Sequence, residues 1–341
     1  KKSERYSFWN TKKYPRKNRN SFNISYCSNC GYKGHVLIPK LLSQGHKVCA
    51  FDIQWFGNFL EPHQNLKVVR GDVRNIEEVP LDSSVDCIIH LASIANDPCG
   101  DLNPKLTWEV SALATMQLAD RAKRLGVKRF IYASTSSVYG VSNKPNVTEE
   151  HPLVPLTLYN KYKGMCEPIL LKHTSDNFEG VIFRPATVCG YAPRLRLDLS
   201  VNILTNHAVC NNKIKLFGGD QLRPNLHVKD YCDVIKLLLL APQEKIKNEI
   251  FNVGYQNMSI REIANLVKNV VEKFFPEKKQ IEIEKLPSTD NRSYHINSDK
   301  ILRTLGFKAK RSLEEAVKDL CLSFKKGLID KSFENDLYYN V

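Results

Sequence analysis

Short apolar runs alternate with helix-length stretches through the first half of the chain, and this alternation limits the possible folds more than any other feature. The runs are Asn23 to Ser28, His46 to Phe51, Leu66 to Arg70, Val85 to His90, Phe130 to Ala133 and Val181 to Arg184. Strands separated by helices predict βαβ units, hence an α/β fold with a doubly wound parallel sheet. The opening unit turns at Asn29 to Gly34, continues as a helix to about Gln44, and is stopped by Gly45. Gly31 and Gly34, with Tyr32 and Lys33 between them, leave bare backbone where a pyrophosphate can approach a helix N-terminus. Asp52 closes the second run, where a carboxylate takes adenosine ribose hydroxyls and repels a ribose phosphate; NAD is therefore favoured over NADP.

After the fifth run comes a hydroxyl cluster, Ser134-Thr135-Ser136-Ser137, then the turn Val138-Tyr139-Gly140, a Pro-rich loop, and a helix carrying Tyr159 and Lys163. Residues four apart share one helix face. The Lys163 ammonium can thus sit close to the Tyr159 phenol, favour phenolate, and bring a pKa of about 10 toward neutrality. Such a tyrosine is a general base for an alcohol. Thr135, at the carboxyl end of a parallel strand, lies where open α/β sheets place ligands and can hold the same oxygen. Of the fourteen tyrosines only Tyr159 has a lysine four residues on, which sets it apart from an ordinary amphipathic helix.

With these residues the chain resembles the extended short-chain dehydrogenase/reductase family, the NAD-dependent nucleotide-sugar epimerases and dehydratases, over about residues 24 to 325. The resemblance implies that Thr135, Tyr159 and Lys163 are catalytic, with Lys163 also holding the cofactor ribose. It implies adenine contacts from Asp72 and Val73, with Leu91, Ala92 and Ser93 near the middle of the cofactor. Arg223, in Arg-x-x-x-His-Val, and Arg292, in Asp-x-Arg, would grip the diphosphate of a nucleotide sugar. The helix predicted from Asn103 to Gly126 would join the Tyr159 helix in a homodimer bundle.

The chain departs from the family pattern in three places. Ser28 occupies the first glycine position of the turn, at a cost on the order of 1 kcal/mol if a positive φ is required there, so weakened cofactor binding is expected. Glu109 stands where an asparagine is usual. Pro168 inside the Tyr159 helix should kink it.

Composition narrows the remaining possibilities. A chain of 341 residues with 42% apolar content suits two lobes around one cleft. No apolar run reaches about 18 residues, so no spanning helix is expected. Half of the formal +14 charge comes from residues 1 to 20, which hold eight Lys or Arg and one Glu. A basic, disordered tail is expected over residues 1–22 and accounts for that excess better than a nucleic-acid arm, and no nucleic-acid partner is expected. Ten scattered cysteines fit buried thiols in a reducing cytoplasm. Cys27 and Cys30 form a single CxxC with no second pair, and no metal is expected.

The NAD-binding domain is expected over residues 23–190, with 226–253 returning to it, and a smaller substrate-binding lobe over 191–225 and 254–341. Ser259 with Glu262 and Ser312 with Glu315 read as capping boxes. The expected activity is epimerisation of a nucleotide sugar through a transient keto intermediate. A nucleotide-sugar dehydrogenase or ketoreductase, or a catalytically silent NAD-binding regulator, are the alternatives. Dehydratases of the family carry an Asp-Glu pair directly after the threonine; here those positions are Ser136 and Ser137, and no water loss is expected.

Overall fold

The computed structural model describes residues 21–27, 30–142, 144, 146–278, 280–288 and 293–340. Ser28, Arg292 and the basic tail to residue 20 lie outside the described residues. The strands are β1 Asn23–Cys27, β2 Lys47–Asp52, β3 Leu66–Arg70, β4 Cys87–His90, β5 Arg129–Ala133 and β6 Glu179–Pro185. They continue with β7 Thr187–Cys189, β8 Lys213–Phe217, β9 Leu222–His227, β10 Glu249–Val253, β11 Gln256–Ser259 and β12 Glu282–Leu286. The α-helices are α1 Gly34–Leu42, α2 Asp97–Leu102, α3 Pro104–Trp108, α4 Ala114–Arg124, α5 Leu158–His173 and α6 Ser200–Asn211. After them come α7 Val228–Leu240, α8 Gln243–Ile246, α9 Ile260–Phe274, α10 Asp299–Leu305 and α11 Leu313–Lys325.

Two compact units divide the chain. One comprises the chain to Thr135 together with Thr157–Phe183 and Cys232–Ile250; the other comprises Ser136–Leu156, Arg184–Tyr231 and Phe251–Val341. The loop after Thr135 falls in the second unit.

The first unit is built on a seven-stranded sheet of order β10-β6-β5-β4-β1-β2-β3. The pairs from β6 through β3 are all parallel. Reversal of strand order between β1 and its neighbours β2 and β4 gives the doubly wound pattern expected from the alternating runs. Strands β4 and β6 are buried along their whole length, as a parallel sheet covered on both faces requires. The interior strand β1 is more polar, and its entry is tied down instead: Asn23 N–H donates to Asp86 Oδ2 at 2.9 Å, and its side-chain amide to the Ser84 carbonyl at 3.0 Å. One face packs Phe51, Ile88, Leu118, Phe130, Tyr132, Leu170 and Phe178 into a single core.

Where one helix is expected from Asn103 to Gly126, α3 and α4 are joined by a π-helical segment, Glu109–Leu113. The Ala114 N–H reaches back five residues to the Glu109 carbonyl. Helix α5 runs without a break through Pro168, with Thr157 as its N-cap.

The second unit carries a three-stranded sheet, β11-β9-β7, and the pair β12-β8. Its core packs Val201, Leu204, Ile214, Ile263, Val267, Leu313 and Val317 from α6, β8, α9 and α11. Both expected capping boxes form, at Ser259 with Glu262 and Ser312 with Glu315. No helix among the described residues is long and apolar enough to cross a membrane.

Candidate active site

Strand β5 ends on Ala133, and the next residues meet α5 through buried polar contacts. Ser134 donates its backbone N–H to the Phe183 carbonyl at 2.9 Å and its hydroxyl to Glu167 Oε1 at 2.5 Å. Thr135 follows, half-buried, at the carboxyl end of the strand. Tyr159, also half-buried, stands in the first turn of α5, with Lys163 one turn further along the same face. Lys163 is 2% exposed; its Nζ donates to the Ala133 carbonyl at 2.7 Å and lies 4.7 Å from the Tyr132 ring centroid. Burial pulls its pKa from 10.5 down to about 8, against the opposing pull of Cys166 and Glu167. Lys163 is therefore largely protonated at neutral pH, fixed in place, and surrounded by little water, conditions in which its charge acts strongly on neighbours.

A second buried base lies beneath it. His90, at the end of β4, stacks on Tyr132 with centroids 5.9 Å apart, and its Nε2 is 2.8 Å from Thr115 Oγ1. The Thr115 hydroxyl donates to the Ser111 carbonyl at 2.9 Å, so it accepts from His90, which places the imidazole proton on Nε2. Burial, and then the Lys163 charge, pushes the His90 pKa down to about 3. Lys163 thus meets a neutral ring.

The β1–α1 turn is held by groups at the end of β2 and in the loop that follows it. Asp52 Oδ2 accepts the Cys30 N–H at 3.0 Å, and Oδ1 accepts the Gln54 N–H at 2.6 Å. His35 Nε2 accepts the Phe59 N–H at 2.9 Å, so Nδ1 carries the proton and donates to the Gly31 carbonyl at 2.9 Å. Cys30 leans on Asn58 Oδ1 at 3.5 Å, its thiol pushed up to about 12 by burial and by the Asp52 charge. Tyr32 is buried; Lys33 and Gly34 lead into α1, which has neither a side-chain cap nor an acidic residue in its first turn. An uncapped N-terminus after a glycine turn suits a diphosphate. Each Asp52 oxygen keeps a lone pair for a ribose hydroxyl. These residues fit NAD.

At the end of β3, Asp72 faces Arg74, which donates Nε and Nη2 to Asp72 Oδ2 at 2.9 and 2.6 Å. Partial burial alone would raise the Asp72 pKa, but hydrogen bonds from Arg74 hold it below the usual carboxylate range. Arg74 Nη1 also reaches Glu109 Oε2 at 3.1 Å, which commits Glu109 to an ion pair at the position where the family usually has an amide. Val73 and Ala92 are buried and Leu91 half-buried; Ser93 Oγ is 2.9 Å from Ser111 Oγ in the π segment.

In the second unit, Arg223 sits on β9 and is 9% exposed, which sets it apart from an ordinary surface arginine; its Nη1 donates to the Leu222 carbonyl at 3.0 Å. Among the described residues no group of three or more His, Cys, Asp or Glu is placed to hold a metal ion.

Sequence reasoning did not find His35, His90, Asp97 or Asn160. Each meets one partner across 24 to 63 residues of chain, and no short motif encodes such a pairing.

The sequence model of the NAD dependent epimerase/dehydratase family matches residues 29–254. A UDP-glucose 4-epimerase of Lactobacillus helveticus is 24% identical over 265 residues, 70% of this chain and 80% of that protein. A putative UDP-glucose 4-epimerase of Methanocaldococcus jannaschii is 27% identical over 308 residues, 86% of this chain and 96% of that protein. Among solved structures, a dTDP-glucose 4,6-dehydratase of Streptomyces venezuelae with NAD bound superposes with a TM-score of 0.80 at 19% identity, covering 92% of this chain and 99% of its own.

Proposed function

We propose, from the premise that this chain belongs to the NAD dependent epimerase/dehydratase family, that it epimerises a nucleotide sugar through a transient keto intermediate. The observation that carries the proposal is the buried Lys163, anchored on the Ala133 carbonyl one helical turn from Tyr159. A cation fixed there favours the Tyr159 phenolate, and a phenolate can take the proton from a sugar hydroxyl. Thr135, at the strand end, would hydrogen-bond the same oxygen. Bound NAD supplies hydride acceptance and return. On reduction of the ketone from its opposite face, Tyr159 would give its proton back to the oxygen, which leaves the carbon inverted. Asp52 and the turn of Gly31, Tyr32, Lys33 and Gly34 would hold the cofactor, with Asp72, Val73, Leu91, Ala92 and Ser93 lining it. Arg223 and Arg292 would take the diphosphate.

Elimination of water needs an acid and a base in addition to the tyrosine. Ser136 and Ser137, where the dehydratases carry their Asp-Glu pair, offer neither near neutral pH. The names of the curated relatives support a UDP-hexose as substrate. The experiment is the product mass after incubation with UDP-glucose and UDP-galactose. Unchanged mass with interconversion supports epimerisation. Loss of two mass units would show oxidation alone, and loss of about eighteen would show elimination, and either result would overturn the proposal.

Trp108, Leu113 and Met165 are exposed on α3, the π segment and α5, which supports pairing of two copies through these helices. Light scattering that gives a monomer mass would reject the dimer. Of the nine cysteines whose side chains are described, eight are buried and none is in a disulfide, which supports a reducing cytoplasmic setting; the names of the relatives support a place in carbohydrate biosynthesis.

A further inference from the structure

The first turn of α5 carries two polar side chains that proton transfer at Tyr159 does not require, and both reach the same carboxylate. Asp97 Oδ1 accepts the Thr157 hydroxyl at 2.5 Å and the Asn160 side-chain amide at 2.9 Å. Thr157 caps the helix by accepting the Asn160 N–H at 3.3 Å, and Asn160 is completely buried. Tyr159 lies between these two anchors in the chain.

Its other side is set by Gly100. A Cβ on Gly100 would come within 3.1 Å of both Tyr159 Cβ and Tyr159 N, so the absence of a side chain lets α2 close on the tyrosine backbone. The Thr107 hydroxyl, 2.8 Å from the Gly100 carbonyl and 2.9 Å from the Asn103 carbonyl, shares its proton between them and ties that spot to α3. Asn96, immediately before Asp97, has φ 103° and ψ 141°. An L-residue adopts that conformation at a cost on the order of 1–3 kcal/mol, and such strain gathers where surrounding structure fixes a functional group.

We propose that Asp97 is a positioning residue for Tyr159, acting through Thr157 and Asn160 with Gly100 as the seat, a role that rests on the reading of Tyr159 as the base. The first turn of a helix has unpaired N–H groups and frays readily. The clamp fixes the residues on both sides of Tyr159, and so keeps the phenol at a constant distance from the Lys163 ammonium. The same segment continues from Leu91, Ala92 and Ser93, which links the strand end proposed to line the cofactor to the placement of the base.

The test follows ionisation of Tyr159 itself, as the near-ultraviolet phenolate absorbance of the NAD-saturated protein minus that of its Tyr159→Phe variant, over a pH titration. The Asp97 charge by its own field disfavours phenolate, so the informative variants are Thr157→Val and Asn160→Leu, which keep that charge. In both, the Tyr159 midpoint should rise by about one pH unit, and turnover of UDP-galactose at neutral pH should fall about tenfold, with KM and NAD affinity unchanged. Thr157→Ser should restore both. Gly100→Ala should give the same shift by pushing the turn away. Midpoints that stay fixed while the melting temperature drops would overturn the clamp and leave the base reading intact. Absence of any Tyr159 titration below its usual range in the unmodified protein would overturn both.

Discussion

At the β5 end of the first unit's sheet the contacts are few and fully buried, whereas at the β1 end they are several and only part-buried. Ser134 meets Glu167, and Lys163 meets the Ala133 carbonyl, entirely inside the protein. The β1–α1 turn depends on Asp52, Phe59 and Asn58, and the neighbouring Arg74 cluster is part-exposed. A buried ammonium with a lowered pKa and a fixed geometry suits a site where a proton moves. A backbone turn propped by several partners suits a site that binds, since no single prop carries the whole affinity. The difference predicts that substitutions at the first end act on rate and stability, and those at the second end act on affinity.

The strongest attempt to break that division is Tyr159→Phe. Turnover should fall about a hundredfold or more while NAD affinity, titrated by intrinsic fluorescence, stays the same. Unchanged turnover would remove Tyr159 from its role.

A smaller effect sharpens the stability half of the comparison. The folded-state pKa of His90 lies near 3 against 6.5 for the free residue, so in that window the unfolded chain binds more protons than the folded one. The stability from this group is complete above pH 6.5 and is lost as pH falls toward 3, at up to about 1.4 kcal/mol per pH unit. Urea unfolding at several pH values should show a shallower acid loss in His90→Gln than in the unmodified protein.

At the binding end, Asp52→Ala should weaken NAD about tenfold and narrow its advantage over NADP, with little change in turnover at saturating cofactor. Equal affinities of the unmodified protein for the two dinucleotides would contradict the ribose role. The smallest effect belongs to Arg74→Ala. A part-exposed ion pair is worth at most about 1 kcal/mol, so its melting temperature should change slightly, and less in high salt.

Separation along the chain explains what could be read from the sequence. Tyr159 and Lys163 show up as a spacing, the glycine turn as a pattern between two strands, and the boxes at Ser259 and Ser312 as four-residue signatures, because each is encoded within a helical turn. Asp97 gripping Asn160, or His35 bridging Gly31 and Phe59, depends on which turns the sheet brings together, and periodicity has no access to that. The burial of Arg223 on β9 was hidden for a similar reason: a strand containing Pro224 and Asn225 looks like a loop until pairing with β7 and β11 defines it. The π segment gave no signal at all, since Glu109 to Leu113 has an ordinary helical composition.

That segment is a place where the helix can change length without changing course. It holds one residue more than an α-helical path needs, so removing any one of Val110, Ser111 or Ala112 would let the span from Pro104 to Arg124 wind as a single α-helix with both flanks still in phase. The same deletion inside α4 would turn everything before it by about 100° relative to everything after it. The disturbance in the segment would be local, at the place where Ser111 meets Ser93. A deletion there takes up slack, whereas one in α4 acts as a change of gearing between the two ends of the helix.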